Sequence, residues 1–396
     1  MSLDRRTFLK SSAIVGGAFG LGVFPALAHA DGAHWTADGI DERALVPQPK
    51  PAKKLSILIL GGTGFIGPNQ VRYAVERGHD VTLFNRGKTN PGLFPTVKKL
   101  VGDRNLPDGH KMLKGKKYDV VIDNPTTLPQ WVKGAGEALK GNVGHYIFVS
   151  TISVFSSCPS PLDENGPLHE PGGMDTPPDQ ARVGNNYGKL KVRSEMEAKT
   201  QFGDNVTIVR PGLIVGPGDL TDRFSYWPVR IEKGGEIMAP GKPGDPTQYV
   251  DARDLSEFIV RLAETKTLGT FNATGPKSPT NMAEMLYGIK AVTTSDARFN
   301  WVDSDFLQSN QVRAWSDMPV WVAPRGANAF MLQMNVTKAV AAGLTYRPLA
   351  VTAQDTLDWY HSRPAEEQAK LAAGIAPDKE KTVLAAWNAR KPAGGP

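Results

Sequence analysis

Three groups of residues in this chain could do chemistry together. The first is Gly61-Gly62-Thr63-Gly64-Phe65-Ile66-Gly67, directly after the apolar run 55–60. A short β-rich run, three glycines at G-x-x-G-x-x-G spacing and a following helix predict a strand–turn–helix that binds a dinucleotide. Gly61 permits the tight turn and Gly64 lets backbone approach a pyrophosphate. Gly67 lets the helix pack close to the strand, with its N-terminus facing the phosphates. The second group is Tyr187 and Lys191, four apart and so on one face of a predicted helix. A lysine beside a tyrosine favours phenolate by Coulomb attraction. That suits the tyrosine to general acid–base work near neutral pH, and the lysine can also hold ribose hydroxyls. The third group is Ser150, Thr151 and Ser153, which end the apolar run 146–149. Hydroxyls at the carboxyl end of a central strand face the ligand crevice. One of them could polarise a substrate oxygen while Tyr187 moves its proton; at least one other merely satisfies backbone groups.

The elements needed to position these groups are legible in the hydrophobic pattern. Strands are expected at 53–60, 80–84, 97–101, 118–122, 144–150, 206–209 and 270–273, with helices at 65–77, 131–140 and 187–199. A loop rich in proline, glycine and acids covers 156–185, and terminal helices packed on the outside are expected at 366–391. Strands alternating with helices predict an α/β fold, a Rossmann-type doubly wound parallel sheet with a smaller C-terminal substrate lobe. The expected divisions are a leader at 1–30, a linker at 31–52, a nucleotide-binding domain at 53–215, a substrate lobe at 216–362 interleaved with late sheet elements, and a helical tail at 363–396.

The leader carries its own signal. Asp4-Arg5-Arg6-Thr7-Phe8-Leu9-Lys10 is a twin-arginine segment, followed by a glycine-diluted apolar stretch at 13–28 and the small-x-small site Ala28-His29-Ala30. Together these read as a twin-arginine export signal removed after Ala30. The apolar stretch is short and glycine-rich for a spanning helix, so no stable membrane anchor is expected. The expected location is periplasmic or extracellular, with the twin-arginine export machinery as a partner. No ready pool of nicotinamide nucleotide exists there, which favours a tightly held cofactor that the reaction recycles. The formal net charge of +6 across 396 residues is mild and demands no nucleic acid. The single Cys158 excludes an intramolecular disulfide and a cysteine-built metal site; no metal site is expected.

Taken in order, these motifs resemble the extended short-chain dehydrogenase/reductase superfamily and, within it, the NAD-dependent epimerase/dehydratase family. The resemblance runs from about Lys53 to about Tyr360. It includes Arg210-Pro211-Gly212 followed by Gly216-Pro217-Gly218, and the late element Tyr249-Val250-Asp251-Ala252-Arg253-Asp254-Leu255. It implies Thr151, Tyr187 and Lys191 as catalytic residues. It implies cofactor contacts from Gly61, Thr63, Gly64, Phe65, Ile66, Gly67, Asn85, Arg86, Asp103, Ser150, Lys191 and Pro211. Asp103 matches an aspartate that contacts adenine.

Departures from the family pattern narrow the reading. Ile152-Ser153 stands where family dehydratases carry an Asp-Glu pair, so elimination of water is disfavoured. The second strand ends in Asn85-Arg86 rather than in an acid; Arg86 could pair with a 2′-phosphate, and the reading leans toward NADP with NAD open. The same turn resembles an atypical branch that includes chloroplast stem-loop RNA-binding proteins. Asp123-Asn124-Pro125 has no role that the resemblance assigns. Substrate contacts are expected from Ser153, Arg223, Trp227 and Arg230. The expected function is a hydride-transferring oxidoreductase or epimerase of a sugar, glycoside or related small hydroxyl or carbonyl compound. A simple NADPH-dependent carbonyl reductase, and a non-catalytic nucleotide- or RNA-binding relative, are the alternatives. The oligomeric state stays open, a homodimer included.

Overall fold

In a computed structural model, residues 51–124 and 128–390 are described. The expected leader at 1–30 and most of the expected linker at 31–52 lie outside the described residues. The chain order begins with β1 (Ser56–Leu60), α1 (Gly67–Glu76), β2 (Asp80–Asn85), β3 (Lys98–Val101), β4 (Tyr118–Asp123), α2 (Pro129–Leu139), β5 (Val143–Val149), α3 (Asn186–Phe202) and β6 (Val206–Pro211). It continues with β7 (Leu213–Val215), α4 (Tyr226–Glu232), β8 (Glu236–Pro240), β9 (Pro246–Thr247), β10 (Tyr249–Asp251), α5 (Ala252–Thr265) and β11 (Gly269–Ala273). The remaining elements are β12 (Thr280–Asn281), α6 (Met282–Lys290), β13 (Arg298–Val302), α7 (Ser304–Ser309), α8 (Thr337–Ala341), α9 (Leu349–Ser362), α10 (Ala365–Gln368) and α11 (Pro377–Asn388).

The central sheet has seven strands in the order β11-β6-β5-β4-β1-β2-β3, and every pairing in it is parallel. Burial on both faces explains the near-continuous apolar runs. In β1, Ile57 and Ile59 pack into one core with Val71 and Ala74 of α1 and with Leu255, Phe258 and Leu262 of α5. Leu58 and Leu60 face the other way, toward Val132 and Leu139 of α2 and Ala198 of α3. Strand order reverses between β1 and β4, which opens the crevice that doubly wound sheets use for ligands.

The smaller lobe has its own core, built on Phe224, Trp227, Ile237, Met282, Leu286, Val302, Met318 and Trp321. Its small sheets pair β10 with β7, β12 with β9 and β13 with β8. The late Asp251 element is a buried clasp. Asp251 caps α5, accepts from Nε and Nη2 of Arg253 at 2.9 and 2.7 Å, and accepts the Thr352 hydroxyl of α9 at 2.8 Å.

The tail packs on the lobe through one face. Ile375, Val383 and Leu384 are buried in the lobe core. Asp222 accepts hydrogen bonds from Arg363 and from the Ala372 amide, each at 3.0 Å. Apolar residues spaced along α11 need a partner, and the lobe core provides it.

Candidate active site

The glycine loop has the shape that a phosphate needs. A Cβ on Gly67 would stand 2.5 Å from the Gly62 Cα, so only glycine lets α1 start this close to the turn. Around Gly64, by contrast, nothing lies within 4 Å of an added Cβ, and the loop is open to an approaching group. The turn is clipped from outside by Asn90, which the sequence did not single out, and by Asn85, which was expected at the cofactor. Asn90 donates to the Thr63 carbonyl at 3.1 Å. Asn85 donates to the Gly61 carbonyl at 3.2 Å, while its own oxygen accepts the Gly87 amide at 2.9 Å. Phe65 lies against Gly218 of the lobe, and Ile66 is buried, its carbonyl accepting the Ser256 hydroxyl of α5 at 3.2 Å. Arg86 is exposed just beyond β2. Asp103 closes the turn after β3, taking the Asn105 amide at 3.0 Å. Pro211 ends β6 opposite Ala273.

The hydroxyl groups follow β5, and the structure gives them different work. Ser150 donates to Glu195 at 2.5 Å, and Glu195 is gripped by Arg210 at 3.0 and 2.7 Å. This corrects the expectation for Ser150: its hydroxyl is committed to a buried ion pair rather than turned toward a cofactor. Thr151 begins a 3-10 turn and accepts the Ser153 amide at 3.1 Å, and its side chain acts on the Tyr187 phenol, opposing the effect of burial. Ser153 is within hydrogen-bond reach of Thr151, 3.3 Å between their oxygens. Thr151 and Ser153 thus share one turn, and α3 packs on that turn next to Tyr187.

The packing of α3 on that turn is tight. Gly188, next to Tyr187, would place a Cβ 2.1 Å from the Ser153 carbonyl oxygen. No side chain can stand there without moving the helix. Gly188 lies inside the Tyr187–Lys191 motif, but only the tertiary contact reveals why it is glycine.

Lys191 behaves differently from expectation. Its ammonium donates to the Val149 carbonyl at 2.6 Å and lies 4.6 Å from the centre of the Phe148 ring. Burial pushes it down to about 7, against the attraction of Asp123 and Glu195. Burial likewise raises the Tyr187 phenol; Thr151 and the cations Arg182 and Arg223 oppose that. The guanidiniums of Arg182 and Arg223 act on the phenol, while Lys191 turns down to the strand end. Arg182 sits 5.2 Å from the Tyr187 ring centre.

The expected substrate contacts divide. Arg223 is bound at Nε to the Thr221 hydroxyl oxygen at 2.9 Å and stacks 5.8 Å over Trp315, and its charge reaches the phenol. Trp227 and Arg230 are corrected. Trp227 is fully buried, its indole N–H donating to the Pro319 carbonyl at 2.7 Å. Arg230 binds Glu380 of the tail at 2.7 Å and the carbonyls of Gly234 and Glu236 at 3.0 and 2.6 Å. One helical turn carries both side chains inward to lobe and tail, and away from Tyr187.

With this geometry described, residues 57–273 match the NAD dependent epimerase/dehydratase family. The chain belongs to that family. It is 30% identical over 254 residues to the chloroplast stem-loop binding protein of 41 kDa b from Arabidopsis thaliana, covering 59% of this chain and 63% of the relative. It is 28% identical over 225 residues to the 2-alkyl-3-oxoalkanoate reductase of Stenotrophomonas maltophilia, covering 52% of this chain and 64% of the relative. Both matches span less than two thirds of the relative's own length. Among solved structures, the UDP-glucuronic acid 4-epimerase of Bacillus cereus in complex with NAD shares the fold. The TM-score is 0.55 at 15% identity, over 77% of this chain and 99% of that one.

Two outcomes follow from the site geometry. Gly188→Ala should displace Tyr187 from the turn that holds Thr151, cost ~1–3 kcal/mol in urea unfolding and reduce turnover on the order of 100-fold. Lys191 should also make stability pH-dependent. Its folded value of about 7 lies below the ordinary 10.5, so the unfolded chain binds more protons in that window. The cost of burying the charge is fully present below about 7 and is relieved as pH rises. Wild type should therefore gain on a Lys191→Met variant by up to ~1.4 kcal/mol per pH unit above pH 7. Parallel urea curves at pH 7, 8 and 9 would refute this.

Proposed function

We propose that this family member is an exported enzyme that binds a nicotinamide dinucleotide along the β1–β4 crevice and acts by hydride transfer on a small hydroxyl or carbonyl substrate. The observation that carries this reading is the close packing of α3 at Gly188, next to Tyr187, on the turn that holds Thr151 and Ser153 at the carboxyl edge of the sheet, beside a glycine loop open to a pyrophosphate. The nicotinamide supplies the hydride acceptor and donor. Tyr187 takes the hydroxyl proton of the substrate and returns it, and Thr151 steadies the same oxygen. Arg182 and Arg223 bias the phenol toward ionisation against its burial. Lys191, buried and bonded to the Val149 carbonyl, braces the strand end beneath the tyrosine. Glu195 and Arg210 fix α3 to β5 and β6 behind it.

A redox-neutral epimerisation of a sugar, glycoside or related compound fits the twin-arginine leader, because a retained cofactor needs no external supply. The exposed Arg86 could pair with the 2′-phosphate of NADP; NAD remains the alternative. The nearest competitor is an NADPH-consuming carbonyl reductase. An RNA-binding role, suggested by the Arabidopsis relative, does not explain a helix bearing Tyr187 packed on the Thr151 turn at the sheet edge.

One purified preparation tests the reading. Acid should release stoichiometric NAD or NADP from protein isolated without added nucleotide. Tyr187→Phe should keep that nucleotide and lose turnover by at least ~100-fold, the usual scale of acid–base catalysis. Full activity in Tyr187→Phe would reject the assignment. An empty protein that oxidises one added NADPH per substrate would favour the reductase.

A further inference from the structure

Asp123 was the one residue of the strand ends to which neither motif nor family pattern assigned a role. It ends β4 fully buried, a costly place for a carboxylate unless it is paired. Among the described residues, Arg104 and Tyr146 hold it. Arg104 forms a two-pronged contact at 2.6 and 2.8 Å, and the Tyr146 hydroxyl of β5 donates to it as well. Arg104 is itself fixed by the Trp131 carbonyl at 2.9 Å and by the Trp131 ring, 5.4 Å from its guanidinium carbon.

The parallel register then aims this assembly. Asp123 is the direct partner of Phe148, so both side chains leave the sheet on the α3 face. Over that same Phe148 ring stands the Lys191 ammonium, anchored to the next residue's carbonyl. Lys191 is 1% exposed, and a buried ammonium readily gives up its proton unless a negative charge stands near. The groups acting on it are the acids Asp123 and Glu195 and the guanidiniums Arg182 and Arg104. Glu195, one turn along α3, is spent on Arg210 and Ser150.

We propose that Asp123 is a positioning residue for Lys191: clamped by Arg104 and Tyr146, its carboxylate keeps the lysine ammonium charged and in place over Phe148. The Arg104 clamp has a second effect. It prevents the carboxylate from becoming an acceptor for a substrate or cofactor proton, and it dilutes the negative charge, so that Lys191 is poised rather than locked. The consequence for catalysis rests on the function proposed above. The electrostatic coupling itself does not.

The coupling can be read in the full-length protein without any substrate. Lysine labelled with carbon-13 at Cε gives a titration for Lys191, identified by its absence in Lys191→Met. The wild-type midpoint is expected near 7. Asp123→Asn should lower it by about one unit or more, the scale of removing a nearby opposite charge. Tyr146→Phe deletes one oxygen from a packed core, frees the carboxylate of a donor, and should raise the midpoint by a few tenths. This second variant decides the matter if Asp123→Asn does not fold. A midpoint unmoved by these substitutions, or moved only by Glu195→Gln, overturns the proposal. Nucleotide binding by the same variants is measured separately, so failure of this coupling is distinguishable from failure of the nicotinamide assignment.

Discussion

Parallel pairing is the constraint from which the site follows. With every strand of the central sheet running the same way, the carboxyl ends of β1, β2, β4, β5 and β6 meet along one edge. That edge therefore collects Gly61, Asn85, Asp123, Ser150 and Pro211, together with the turns that follow them. Strand ends expose backbone groups that need partners, and buried side chains that supply them must be paired in turn. The polar network around the crevice is the chemical answer to that demand: Asn85 on Gly61, Ser150 on Glu195, Lys191 on Val149 and Arg104 on Asp123.

A second constraint is the close approach of α3 to the turn after β5. The helix carries Tyr187, Lys191 and Glu195 on the side toward the sheet, and it can come near only because Gly188 has no side chain. The approach has two chemical results. It brings Tyr187 to the turn that holds Thr151, and it drives Lys191 out of water altogether. Burial acts in opposite directions on these groups: it holds the phenol neutral and takes the proton from the ammonium. Charges supplied from elsewhere, Arg182 and Arg223 on one group and Asp123 and Glu195 on the other, counter both tendencies. The reactive pair is thus balanced by at least four segments of the chain.

The smaller lobe extends this dependence to the end of the sequence. Asp222 is held by Arg363 and the Ala372 amide, and its neighbour Arg223 bears on the phenol. Glu380 in the tail helix binds Arg230 and the Met238 amide, at 2.7 and 3.0 Å. A segment far along the chain from the glycine loop therefore helps to hold the residue next to Arg223.

The sequence by itself determined the sheet elements, the glycine loop and the helix that carries Tyr187 and Lys191. These are local signals: apolar runs of strand length, glycines at fixed spacing, and residues four apart on a helix. It also singled out Asp123 as a departure from pattern without explaining it. What only the tertiary structure decided were the pairings between distant segments. Trp227 and Arg230 looked like pocket residues because their types suit ligands, but burial against Pro319 and Glu380 depends on where the tail folds. Ser150 could have faced a cofactor until Glu195 and Arg210 met it. Lys191 was expected to act on the phenol from helix periodicity, yet its reach to Val149 is set by how deeply α3 packs. Asn90, Arg104 and Tyr146 carry no local signal at all. A short-range pattern fixes which residues share a face; the charge each one feels is a sum over neighbours that only packing brings together.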